Sequence, residues 1–581
     1  MTTRTLLSLA LIAFMPGCPD DPAPRDVSDA SDTSDATPEV SMPDAPEVEV
    51  DVEDASPDVV LPVGRVVINE VDCRTDPSEW VELKNVGDAP VELAGYRLAD
   101  RPGGAGVAVP GGVLEPGGYR VVQADFGISC DNDGVYLTAA GRSVDQAPPR
   151  RGDAEISTWG RVPDGLGAFS ETAATPHKAN LALADLRGTL FETDGALPTI
   201  DLYVDEAAEA TLSGADKVYA PALWQWTDAS GTSPPQRVDI RIKGSITLRP
   251  WADKPSLKVH FARHDERGPR SFRGAKKLSL HNLSYDPSAI REWLAYDLMR
   301  AAGQPAPRVG WAMLRVNGVA KHLYALVENY DEVFLGDWFA TTTALYEADG
   351  DLAGGSLVGF FLDEGDSMAP LEALAGRVLA VSQGRSRPTV ALPEIDWVQL
   401  AKMHGLEEVL QHTDGMRSGC HNYFMHLDDD GRWAFLPWSV DLTLLEGYGD
   451  SGPIGSCSVF AQLCDRDEQC RAWFERARDE AAWIVLRGDF RARAMAEASR
   501  LQAYAWPLDE PWGKGDFWGD KTFDLPAQAS AAVDILEARA RHIRCASAAL
   551  RTDPPSPPED DPDCGGFLGT GGGGPKPPKP R

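Results

Sequence analysis

Three side chains able to ionise or chelate lie in order within the stretch 410–442, LQHTDGMRSGCHNYFMHLDDDGRWAFLPWSVDL: Asp414, Asn422 and Asp441. Asp414 follows segment 395–411, where Trp397, Leu400, Leu406 and Leu410 recur on one helical face behind Asp396 as a cap. Asn422 opens the apolar run 423–427. Asp441 closes the run 433–440, beyond a turn carrying Asp428, Asp429 and Asp430. A carboxylate base, then an amide and a carboxylate that can bind a cation, is the order phosphoryl transfer uses. The same residues also suit a polar hairpin whose Asp and Asn are turn formers.

The rest of the chain has to position these groups. At 581 residues it is too long for one core and suggests several domains. Net charge is −34, of which −13 sits in residues 19–60, so a basic face for nucleic acid is excluded. Residues 1–18 read as a targeting segment: Arg4, a short apolar core over 6–15, then Met15-Pro16-Gly17-Cys18. This resembles a bacterial lipoprotein signal, with Cys18 as the lipidated residue. Met15 and Pro16 replace the usual Leu and small residue, which leaves ordinary signal cleavage as the alternative. Either way export is expected, and the resemblance implies anchoring to the cell envelope, at the outer membrane or cell surface, through the N-terminal lipid alone. Residues 19–62 lack any aromatic residue and should form an extended acidic stalk. Setting Cys18 aside, eight cysteines remain, an even number that suggests disulfides of open connectivity.

From 63 to 181 short β-rich runs (66–71, 80–84, 91–98, 119–123, 135–137) alternate with Gly, Pro, Asp and Asn, the pattern of a β-sandwich. Ile68-Asn69-Glu70, Glu79-Trp80-Val81-Glu82-Leu83, Gly160-Arg161-Val162-Pro163-Asp164-Gly165 and Thr175–Asn180 resemble the lamin-tail domain, an immunoglobulin-like sandwich. Glu70, Glu79 and Glu82 are expected at solvent-facing strand positions and caps, and Cys73 with Cys130 as partners.

Beyond it, strands are expected at 199–204, 238–242 and 257–261, and a helix from Asp286-Pro287-Ser288 to about Ala302. A hairpin should turn at Asn317-Gly318 between 309–316 and 323–328, and a last helix should lie near 527–550. Arg241-Ile242-Lys243-Gly244-Ser245, Lys254–Phe261, Asn282 with Asp286–Leu298, Val316-Asn317-Gly318, Tyr324–Glu328 and Tyr346-Glu347 come in sequence before Asp414, Asn422-Tyr423 and Pro437-Trp438-Ser439-Val440-Asp441. This succession resembles the CotH kinase family. The resemblance implies a multidomain chain: the sandwich, then an α+β bilobal protein-kinase-like domain over 190–550, with a Pro/Gly-rich tail over 551–581. It implies ATP as donor, Mg²⁺ (or Mn²⁺) as cofactor, and a hydroxyl on a secreted or surface protein as acceptor. Asp414 would be the base, and Asn422 and Asp441 the metal ligands. Lys243, Gly244 and Lys254 would meet phosphate, Glu292 would pair with Lys254, and Glu328 would lie where adenine binds. The family usually writes PWDxD, and Ser439 stands at its first acid. Asp441 could take over if the chain is still extended there. The alternative is a nucleotide-binding relative without turnover, acting as a structural or interaction protein at the surface.

Overall fold

The structure, a computed structural model, describes residues 65–550 apart from 75–78, 131, 151–156, 193–194, 215–216, 245–247, 262, 264–269, 446–452 and 506–523. The expected signal segment with Cys18, the stalk, Ser245 and the C-terminal tail lie outside the described residues. Among the described residues, no helix is long and apolar enough to cross a membrane.

Residues 66–172 form the sandwich. A five-stranded sheet, in which Val66–Asp72 lies between Trp80–Asn85 and Thr158–Val162, packs against a four-stranded sheet built on Tyr96–Ala99 and Val135–Ala139. Val66, Ile68, Val81, Leu83, Leu98 and Leu137 fill the space between. The expected strand 91–98 is split in two, because Gly95 takes φ +91° and turns the chain. Cys73 and Cys130 are disulfide-bonded. Glu70 and Glu82 do not face solvent; both are completely buried. Glu70 accepts hydrogen bonds from Thr158 and Thr175, and Glu82 accepts them from the Asn69 amide (2.9 Å) and the His177 backbone N–H (2.5 Å). Gly165 N–H donates to Asn69 Oδ1 and Asn180 N–H to Asp164. The motif residues of this segment thus knot loop to strand. Glu79 does cap a loop, accepting from the Ile128 N–H at 2.7 Å.

A closed barrel follows. Thr199–Tyr203 runs parallel to Val309–Val316 and antiparallel to Ala220–Asp228. Val319–Glu328, Lys277–His281, Ser256–His260 and Gln236–Lys243 complete the ring, each pair antiparallel. Its interior is Trp224, Ile240, Leu257, Val259, Leu278, Leu280, Leu314 and Leu326. The third part is a four-stranded sheet in the order Phe360–Glu364, Ala344–Ala348, Tyr423–Leu427, Trp433–Pro437. Its Tyr346, Tyr423, Met425 and Phe435 pack on Trp397, Leu400, Met403 and Phe460 of the helices beneath. Helix Trp397–Leu410 lies against helix Glu468–Arg487 so closely that a Cβ on Gly405 would sit 2.7 Å from the Arg478 backbone nitrogen.

Two boundaries differ from expectation. The helix expected from Asp286 begins at Arg291, because the Asp286 carboxylate holds Ser288 and the Arg291 N–H in a turn and Ala289 takes φ +59°. The run 433–440 is strand only to Pro437. Ser439 is left-handed at φ +52°, and Val440–Leu442 is one 3₁₀ turn.

Candidate functional site

One end of the barrel faces the sheet-and-helix part across a cleft of about 230 Å³. Lys243, Gly244, Ser256 and His281 line it from strand ends and Glu292 from the first turn of helix Arg291–Ala301. Asp349, Asp414, His421, Asn422, Trp438, Ser439 and Asp441 come from the other side.

The loop bearing Asp414 is built by the end of its helix. Leu410 is the last helical residue, and Gln411 reverses the chain in the left-handed region. The buried Glu407 carboxylate then accepts the backbone N–H groups of Met416 (2.8 Å) and Arg417 (2.9 Å), and burial pushes its pKa up to about 7. Met416–Gly419 makes a single helical turn, so Asp414 and Asn422 meet although seven residues separate them. The Asn422 amide nitrogen donates to the Asp414 carbonyl oxygen (2.7 Å) and to Oδ2 (3.0 Å). His421 Nε2 lies 2.9 Å from Asp414 Oδ1, and Nδ1 lies 3.4 Å from Asp349. The Asp414 hydrogen bond holds the His421 imidazole pKa above its ordinary value. A disulfide from Cys420 to Cys457 closes the loop from behind.

Asp441 reaches the cleft from the 3₁₀ turn, not from a strand face. Its carboxylate accepts from Ser439 Oγ at 3.2 Å, and burial, with Glu292 nearby, raises its pKa. On the barrel side Lys243 ends its strand opposite Ser256. Its Nζ lies 2.5 Å from His281 Nε2 and 4.8 Å from the Trp438 ring centre, while His281 Nδ1 lies 2.8 Å from Glu292 Oε2. Desolvation lowers the Lys243 pKa and raises that of Glu292.

Two expected residues lie elsewhere. Lys254 is not among the groups lining the cleft; its ammonium sits 5.0 Å from the Tyr324 ring centre. The reason is register: Lys243 pairs with Ser256, so Lys254 falls beyond the strand end. Glu292 accordingly meets Lys243 through His281, not Lys254. Glu328 is buried in ion pairs, with Arg187 Nε at 2.7 Å and Arg308 at 2.7 Å, and it fastens the end of its strand to the segment before the barrel. The Arg308 and Arg187 charges hold its carboxyl down near 2 against the cost of burial. Sequence reasoning missed His281 and His421. Both carried a signal, since His281 ends a β-run beside Asn282 and His421 directly precedes Asn422.

The donor set suits a hard divalent cation. Asn422 has its nitrogen committed to Asp414, which leaves the amide oxygen as a ligand atom, and Asp441 adds a carboxylate. Burial raises the pKa of both Glu292 and Asp441, and a cation held by Asp441 would offset the cost of burying its charge. Among the described residues, no three His, Cys, Asp or Glu side chains group as a metal cluster.

A β-sandwich precedes a barrel whose open end meets two carboxyl groups and an amide, those of Asp414, Asp441 and Asn422. Residues 240–374 match the family model described as CotH kinase protein, and residues 61–150 match that of the Lamin Tail Domain. Inner spore coat protein H of Bacillus subtilis is 31% identical over 222 residues, covering 36% of this chain and 58% of that protein. The chain thus spans a little over half the length of this relative. Among solved structures, the Helicobacter pylori proinflammatory kinase CtkA aligns over 46% of this chain and 92% of its own at 10% identity, with a TM-score of 0.20. Asp414, Asn422 and Asp441 all lie beyond the segment matched to the CotH model.

Proposed function

We propose that this cleft transfers the γ-phosphate of ATP to a hydroxyl of a surface or secreted protein, within a kinase-like two-part domain. We further propose that the chain acts outside the cytoplasm, held to the envelope by lipid on Cys18. One observation carries the chemistry: Asp414, Asn422, Asp441, Lys243 and Glu292, distant in sequence, line a single cleft. Asp414, fixed by Asn422 and His421, orients the acceptor hydroxyl and takes its proton. Lys243 supplies the point charge that meets phosphate, and Gly244, at φ +108°, lets the backbone approach closely. Asn422 and Asp441 would hold Mg²⁺ or Mn²⁺, which supplies charge neutralisation of the phosphate oxygens when bound.

A second reading rests on Ser439. A neutral hydroxyl there leaves Asp441 as the lone carboxylate of the pair, as in a nucleotide-binding relative without turnover. Labelled ATP with Mg²⁺ or Mn²⁺ separates the two. The kinase reading expects incorporation that falls by roughly 10²–10⁴ in Asp414→Ala. No label in either protein, while ATP still raises the melting temperature, selects the second reading.

A further inference from the structure

We propose that His281 is a positioning residue that orients Lys243 toward phosphate by linking it to Glu292. This rests on the reading of the cleft as a phosphoryl-transfer site and adds a residue to it. The three groups come from three elements: the end of strand Gln236–Lys243, the end of strand Lys277–His281 and the first turn of helix Arg291–Ala301. Lysine and glutamate do not touch; the imidazole fills the gap, 2.5 Å from one and 2.8 Å from the other. Trp438 backs both, its ring centre 4.8 Å from Lys243 Nζ and 6.3 Å from the His281 ring, edge to face.

Hydrogen-bond inventory fixes the chemistry. An ammonium only donates, so Nε2 must accept from Lys243; neutral imidazole then carries its one proton on Nδ1 and donates it to Glu292 Oε2. Burial and the Lys243 charge hold His281 in that neutral form. A lysine has four rotatable bonds and a nondirectional charge. Anchoring Nζ to a rigid ring that is itself anchored to a helix removes that freedom before nucleotide arrives, which is how preorganisation helps transfer. The ring lets the charge stay at the strand end.

The test uses the full chain. His281→Leu keeps bulk and removes both bonds, while His281→Gln keeps an acceptor and a donor. The expected result is a KM for ATP raised about tenfold and a lower kcat in His281→Leu, with most of both restored in His281→Gln and little change in melting temperature. On a Lys243→Met background, His281→Leu should have no further effect, because the two act as a unit. Nitrogen-15 NMR of labelled histidine, without nucleotide, should show His281 as the Nδ1–H tautomer. An Nε2–H tautomer, or substitution effects that multiply, overturns the proposal. The tautomer decides the Lys243–His281–Glu292 link even where the wild type transfers no phosphate, so failure of the kinase reading is a separate result.

Discussion

Breaking the Cys420–Cys457 disulfide should damage the chemistry far more than breaking Cys73–Cys130, although the two cost similar stability. The bonds close segments of 37 and 57 residues. Loop-closure entropy sets an upper bound of about 4 kcal/mol for each. Their surroundings differ. Cys73 and Cys130 belong to the sandwich, away from the cleft lining. Cys420 is left-handed at φ +62°, and the next two residues are His421 and Asn422, both bonded to Asp414. Its partner follows the loop from Arg417, whose carbonyl accepts the Cys457 N–H at 2.9 Å. Release of that pin lets the 416–422 turn drift, and a displacement near 1 Å costs roughly a hundredfold in rate. Paired Cys→Ser variants, compared by urea unfolding with tryptophan fluorescence and by labelled-phosphate transfer well below both midpoints, make the comparison. Full transfer in the Cys420/Cys457 variant, or equal losses in both, would refute the reasoning.

Glu328→Gln should lower the free energy of unfolding by about 1.5–3 kcal/mol, because it removes one of the two carboxylates that pair with the buried Arg187 and leaves Asp337 as the other, while the nucleotide-induced melting shift stays as in wild type. Gly405→Ala should destabilise by about 1–3 kcal/mol, since the new methyl meets backbone of the neighbouring helix. Gly376→Ala, in a helix with open space around it, should stabilise by about 0.5–1 kcal/mol in the same denaturation series. Burial raises Glu70 from 4.5 to about 7, so the folded chain keeps a proton the unfolded chain releases. Stability of the sandwich should therefore fall as pH rises from about 4.5 to about 7, by at most about 3 kcal/mol, and Glu70→Gln should flatten that window in calorimetry.

Periodicity located the elements that carry the site, because each signal is local. Asp396 caps the helix before Asp414 by accepting the Gln399 N–H, and Asn317-Gly318 turns the barrel hairpin. Burial of charge was not legible in the same way. Glu70 and Glu82 alternate with apolar residues like outward-facing positions. They face inward because residues far along the chain, Thr158 on its strand and Thr175 and His177 in a loop, return to satisfy them. Nor could the sequence show the barrel closing, which depends on Thr199–Tyr203 pairing with strands on both sides.

The choice between two lysines shows most plainly where local reading stops. Lys243 and Lys254 lie at facing ends of consecutive strands, and either looks able to reach phosphate. What separates them is the register of one antiparallel ladder. With Ile242 opposite Leu257 and Lys243 opposite Ser256, the side chain of Lys243 leaves the sheet at the barrel mouth beside His281. Lys254 then has to turn over the rim, where Asn282 holds its carbonyl at 2.9 Å and Tyr324 lies under its ammonium. A one-residue slip would exchange faces for every side chain on that strand and carry Leu257 and Val259 out of the barrel core. The packing of those two apolar residues therefore decides which lysine lines the cleft.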